Sequence, residues 1–181
     1  MDEKQLVSQV LNGSDSALRL LIGKYERLVM HMVARVVSDD MDREELCQDV
    51  FVKVYEKLST FHFDSKLSTW IATIAYRMAV NFAKKKRLNQ VDLDQVDFMI
   101  GEESEVVEKE DMKSFIHRLV DQLPLNYKTV LTLFYLDGFS YPEIVEITNM
   151  PEGTVKNYIH RARQKLKDIV ERHAEKEEAL I

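Results

Sequence analysis

The segment GTVKNYIHRARQKLK, residues 153–167, carries Lys156, His160, Arg161, Arg163, Lys165 and Lys167 and no acid. Cations at this density neutralise phosphates, while arginine can pair bidentately with guanine and asparagine with adenine. The chain around the segment is acidic, with 31 Asp and Glu against 25 Lys and Arg. A second acid-free window, SKLSTWIATIAYRMAVNFAKKKRLNQV over 65–91, supplies Lys66, Arg77, Lys84, Lys85, Lys86 and Arg87. Between the two windows, residues 92–111 hold nine acids and one lysine. Charge is therefore sorted into two basic surfaces and an acidic spacer, a pattern that points to polyanions met at two places.

Helical spacing sorts the C-terminal window. Val155, Ile159, Ala162, Leu166 and Ile169 recur at i, i+4, i+7, i+11 and i+14 and predict a buried seam. Lys156, His160, Arg163 and Lys167 form the neighbouring stripe, with Asn157, Arg161 and Lys165 beside it. Upstream, FSYPEIVEITNM offers Ser140 as N-cap and Glu143 as its capping-box partner, with Pro142 tolerated in the first turn. A short turn, NMPEG, then joins two helices of which the second is basic, the helix-turn-helix pattern. N-terminal side chains of such a second helix reach base edges, which selects Lys156, Asn157, His160 and Arg161. Arg163, Lys165 and Lys167 lie farther along and suit phosphates. With Thr154 at the helix start, these are the candidate duplex contacts. The competing reading is a basic helix that only keeps a bundle soluble, and the capped helix and turn before it argue against that.

The N-terminal part also reads as helices. Leu18, Leu21, Ile22, Tyr25, Leu28, Val29, Met32, Val33 and Val36 fall at three- and four-residue steps. In SDDMDREELCQDVFVKVYEKL, Asp42 and Glu45 predict a capping-box-like start, and Leu46, Val50, Val54 and Leu58 an apolar stripe. FHFDSKLS breaks the pattern. Leu67, Trp70, Ile71, Ile74, Met78 and Phe82 then line one side of a further helix, with Arg77, Asn81, Lys84 and Lys85 on another. Phe61, His62 and Phe63 can stack on unpaired bases at ~1–3 kcal/mol per base, or cap the core, the stronger alternative for Phe61. KKKR is equally a solvated helix end suited to the macrodipole.

Composition sets the frame. The chain has 181 residues, five glycines, three prolines and 45% apolar content, enough for one ordinary domain or two small helical ones. The expected fold is all-α, two small helical domains joined by an acidic flexible linker: 1–90, linker 91–112, 113–175 and a tail 176–181. No run approaches the ~20 apolar residues of a membrane span. The start, MDEKQLVSQV, lacks a signal peptide's apolar core, and the single Cys47 suits a reducing compartment, so a cytoplasmic protein is expected. Enzymatic chemistry finds little support. Histidines 31, 62, 117, 160 and 173 lack metal-ligand spacing, Cys47 has no base in view, and the glycines stand apart. Neither metal nor cofactor is expected. The other alternative is a free-standing helix-turn-helix regulator, dimeric through its N-terminal part and reading a two-fold symmetric site.

LVDQLPLNYKTVLTLFYLDGFSYPEIVEITNMPEGTVKNYIHRARQKLK resembles region 4 of the extracytoplasmic-function sigma factors of bacterial RNA polymerase. EELCQDVFVKVYEKLSTF and STWIATIAYRMAVNFAKKKR resemble their region 2. The resemblance implies that the N-terminal domain binds polymerase core and opens the −10 promoter element, and that the C-terminal domain reads −35. Glu45 to Leu58 matches the segment that docks on the clamp coiled coil of the largest subunit, with Glu45, Gln48, Asp49, Phe51, Val52, Lys53 and Leu58 as contacts. Region 4 would meet the β flap. The loop from Phe61 to Ser68 matches one that captures a flipped non-template base, making Phe61, His62, Phe63, Lys66, Arg77, Asn81, Lys84 and Lys85 the −10 candidates. The linker would thread into the polymerase. At ~3.3 Å per residue it could extend ~70 Å, ample for modules two DNA turns apart. Its acidity fits either a nucleic-acid mimic or simple solubility. An anti-sigma factor as partner is also implied, and no membrane contact by the chain itself. Thr73 and Arg77 stand where the family usually has arginine and asparagine, and Asn157-Tyr158 where Ser-Arg is common, so the promoter sequences do not carry over.

Overall fold

A computed structural model of the chain describes residues 2–90 and 112–178, with side chains over 2–86, 115–116 and 118–172. Among the described residues every regular element is helical: α1 (Glu3–Leu11), α2 (Asp15–Ala34), α3 (Asp40–Lys57), a 3-10 turn (Leu58–Thr60), α4 (Leu67–Gln90), α5 (Met112–Asp121), α6 (Leu125–Tyr135), α7 (Tyr141–Thr148) and α8 (Glu152–Glu178). The acidic spacer 91–111 and residues 179–181 lie outside them. The chain divides into two compact units, Met1–Gln90 with Val145–Asn149, and Val91–Ile144 with Met150–Ile181.

In the first unit α2 and α3 each start on a side-chain cap. Gly13, at φ +82°, closes α1, and the Ser14 hydroxyl caps α2 by accepting from the Ala17 amide. For α3 the N-cap is Asp39, whose carboxylate accepts from the Asp42 amide at 3.0 Å. The expected start at Asp42 is thus corrected by three residues. Asp42 sits in the first turn, where an acid still suits the macrodipole, and its carboxylate pairs with Lys86 instead. The helix α2 packs against α1, α3 and α4, and α3 also packs on α4. The core between them holds Leu21, Val29, Met32 and Val33 of α2, Val50 and Val54 of α3, and Leu67 and Ile71 of α4. Burying each such side chain stabilises the fold by roughly 1.5–3 kcal/mol.

The seam of α4 differs from the expected one. Trp70, Ile74, Met78 and Phe82 are half-buried, whereas Ala72, Ala75 and Ala79 have no exposed surface. Small side chains let a neighbouring backbone come close, so the deepest contact follows the alanines and the larger residues flank it.

In the second unit α8 packs against α5 and α6. Leu119, Val120 and Leu123 of the α5 region meet Leu131 of α6 and Ala162 and Ile169 of α8, with Phe115, Tyr127 and Leu166 at the margin. Gly138, at φ +71°, ends the turn after α6. The Glu143 half of the expected box forms: the Ser140 amide and hydroxyl both donate to the Glu143 carboxylate, at 2.8 and 2.7 Å. Asn149 takes the left-handed conformation (φ +58°) that lets the chain leave α7 and start α8 three residues later.

Candidate nucleic-acid interface

The helix α8 divides lengthwise. Val155, Ile159, Ala162 and Ile169 are buried, so the expected seam is present, with Leu166 half-buried. Lys156, Asn157, His160, Arg161, Arg163, Lys165 and Lys167 are exposed, and Thr154 is half-buried at the helix start. Two of the cations carry acid partners one turn away: Lys156 meets Glu152 at 2.6 Å and Lys167 meets Glu171 at 3.5 Å. The Lys156 ammonium also lies 5.6 Å from the Tyr141 ring centroid. Its pKa is raised, first by the Glu152 hydrogen bond and then by the Glu152 charge, so it stays protonated at any physiological pH. Arg161, Arg163 and Lys165 have no acid partner among the described residues. They are ready to meet an anion without first giving one up. Tyr158 turns its ring edge to Tyr127 at 5.2 Å and is half-buried, so this departure from the family pattern serves packing.

In the first unit the break after α3 gathers aromatics. Phe61 is 7% exposed and lies between Phe63 and Trp70, with ring centroids at 4.6 and 5.3 Å. As it stands, its ring has no free face for a base. The core reading of Phe61 is the one its burial favours. Phe63 is 38% exposed and holds a left-handed backbone (φ +63°), uncommon for a bulky residue. The Lys4 ammonium of α1 sits 5.7 Å from its ring centroid, a cation that the sequence did not link to this loop. His62 and Lys66 are exposed beside it. Arg77, Asn81, Lys84 and Lys85 are exposed on one side of α4, as their spacing predicted. Lys86 is turned to Asp42, whose hydrogen bond raises its pKa. Thr73 is buried and its hydroxyl donates to the Thr69 carbonyl at 2.8 Å, so this departure lies in the core, with almost no surface to offer DNA.

Along α3, Glu45, Gln48, Asp49 and Val52 are exposed, and Phe51 and Lys53 half-buried. Leu58 is 1% exposed, so it is a core residue and offers no docking surface, a correction to the matched segment. It belongs to the 3-10 turn, Leu58–Thr60, that follows α3. Met41 (83% exposed) and Tyr55 (51%) join Val52 as apolar groups in solvent; their period-3.6 spacing from Gln48 was available in the sequence but unused. Among the described residues no group of three or more His, Cys, Asp and Glu could hold a metal, and no helix is long and apolar enough to cross a membrane.

Two exposed cationic helix faces on all-helical units, one of them led by a capped helix and a short turn, suit a polyanion such as DNA. Residues 21–88 match the model of Sigma-70 region 2 and residues 116–166 that of Sigma-70 region 4. The ECF RNA polymerase sigma-E factor of Escherichia coli is 30% identical over 183 residues, covering 94% of this chain and 95% of that protein. The RNA polymerase sigma-H factor of Pseudomonas aeruginosa is 29% identical over 178 residues, covering 90% of each. The chain belongs to the extracytoplasmic-function family of RNA polymerase sigma factors. In fold it is similar to the sigma factor RpoE solved with the anti-sigma factor NepR from Bartonella quintana, at TM-score 0.71, 20% identity and coverage of 84% of this chain and 96% of that one. It is likewise similar to CnrH solved with the cytosolic domain of CnrY, at TM-score 0.67, 18% identity and coverage of 93% and 97%.

Proposed function

We propose that this chain binds the bacterial RNA polymerase core in the cytoplasm and directs it to a set of promoters, acting by binding and without catalysis of its own. Residues 1–90 hold the polymerase through the exposed side of α3 and engage the −10 element through His62, Phe63 and Lys66 and the Arg77–Lys85 face. Residues 113–175 read −35 through Lys156, Asn157, His160 and Arg161, with Arg163 and Lys165 on phosphates. Binding free energy alone drives melting, because a flipped base costs a few kcal/mol and stacking returns a similar amount. An anti-sigma factor holds the chain inactive; support comes from the two relatives of like fold, each solved with such a partner or a partner domain.

The observation that carries the reading is the division of α8, a largely buried seam backed by exposed Arg161, Arg163 and Lys165 without acid partners among the described residues. The test is gel filtration and run-off transcription with sigma-free core polymerase and a promoter library. Co-elution with initiation from a distinct promoter class is expected. Tight binding to a palindromic duplex without any association with core would instead make the chain a free-standing regulator.

A further inference from the structure

The stripe of α8 that faces outward reads Glu152, Lys156, His160, Arg163, Lys167, Glu171, so an acid closes the row of three cations and a histidine at each end. The two ends are not equivalent. Lys167 meets Glu171 at 3.5 Å, a loose pair with both side chains well exposed. Lys156 is held from two directions. Its ammonium is 2.6 Å from Glu152 and over the Tyr141 ring, and Tyr141 is itself stacked on Phe134 with centroids 4.9 Å apart. The seat for this one cation is therefore built from α6, α7 and α8 together. Glu152 stands in the first turn of α8, the part of a recognition helix that reaches base edges.

We propose that Glu152 is a positioning residue for specificity: it holds the Lys156 ammonium and offsets its pull on phosphate, so that a duplex is retained through its base edges. This rests on α8 being the duplex-binding helix. Phosphate attraction is the same for every sequence, whereas base contacts are not. A carboxylate beside the leading cation lowers the first and leaves the second. The pair is exposed and so weak enough to open where a guanine edge can replace the carboxylate as acceptor.

The test compares full-length chain bound to core polymerase on two duplexes, one enriched from a promoter library by the unaltered protein and its scrambled counterpart, at several salt concentrations. Glu152→Gln is expected to tighten binding to the scrambled duplex severalfold, to change the enriched duplex less, and so to lower the ratio between them. Salt dependence on the scrambled duplex should steepen by about 0.9 in log K per log salt, the increment for one added phosphate contact. Glu171→Gln, the same charge change at the far end, should leave the ratio unaltered. Glu152→Asp should keep most of the discrimination. A purely structural role for Glu152 at the helix start predicts the opposite sign, weaker binding to both duplexes, and that result would overturn the proposal. An equal loss of discrimination in Glu171→Gln would also overturn it, since bulk charge would then explain the effect. If the unaltered protein itself fails to prefer the enriched duplex, the reading of α8 fails, and this inference with it.

Discussion

Lys86 Nζ lies 2.5 Å from Asp42 Oδ2, although 44 residues separate the two in the chain. The pair ties the C-terminal half of α4 to the first turn of α3 and separates Lys86 from its neighbours in KKKR. Lys84 and Lys85 remain exposed, and no acid partner is found for them among the described residues.

That difference is measurable. Replacing Lys84 and Lys85 with alanine should flatten the salt dependence of open-complex formation by about one slope unit per lost phosphate contact. Lys86→Ala should flatten it less, because its charge is already matched by Asp42. A filter-binding or fluorescence titration over salt gives the slopes. Equal effects at all three lysines would show that the pair opens freely.

Phe61 and Phe63 should separate stability from binding. Phe61 is buried between two rings, so Phe61→Ala should cost about 3–5 kcal/mol in urea unfolding of the N-terminal part. Phe63 is more exposed, and Phe63→Ala should cost far less stability while weakening single-stranded −10 DNA by ~1–3 kcal/mol. A Phe61 variant of normal stability that fails to bind would instead make Phe61 a base contact.

Arg161→Ala should flatten base preference at one −35 position, at a cost of ~1–3 kcal/mol if the contact is bidentate. Competition among −35 variants reads this directly. Unchanged discrimination would remove Arg161 from the readers and leave it with the phosphates.

Thr129 of α6 is fully buried, and its hydroxyl has no hydrogen-bond partner. An unmet buried hydroxyl costs about 1–3 kcal/mol, so Thr129→Val, close in shape, should raise the unfolding midpoint of the C-terminal part. Thr132, on the same helix, donates to the Lys128 and Thr129 carbonyls, and Thr132→Val should not stabilise. A lowered midpoint in Thr129→Val would reveal a partner for that hydroxyl.

Tyr25 donates to Glu3 at 2.9 Å, and burial first, then that hydrogen bond and the Glu3 charge, raise its pKa above the usual tyrosine value. A raised folded-state pKa means that the folded chain keeps a proton that the unfolded one gives up above pH ~10. Stability from this group is complete below that pH and falls as pH climbs toward the folded value. Tyr25→Phe should therefore lose less stability than the unaltered protein between pH 10 and 11 in chemical unfolding. Parallel pH curves would refute the coupling.

Much of this molecule is written in short-range signals. The helices, the Ser140–Glu143 pair and the buried seam of α8 depend on residues three or four apart, so spacing alone reveals them. The exposed faces of α4 and α8 follow from the same periodicity. What the sequence left open depends on partners distant in the chain. Spacing put Leu58 on an apolar stripe and left Phe61 between core and base contact, but only the packed bundle sets Phe61 between Phe63 and Trp70 and decides that Ala72, Ala75 and Ala79 lie deeper than Trp70. Asp42 lost its capping role to Asp39 by a shift of three residues, within one turn of helix. Its pairing with Lys86, and the seat that Tyr141 and Phe134 make for Lys156, exist only once separate helices are brought together. Helix periodicity is a property of the backbone, legible one turn at a time. Which cations are already matched by acids is a property of the fold.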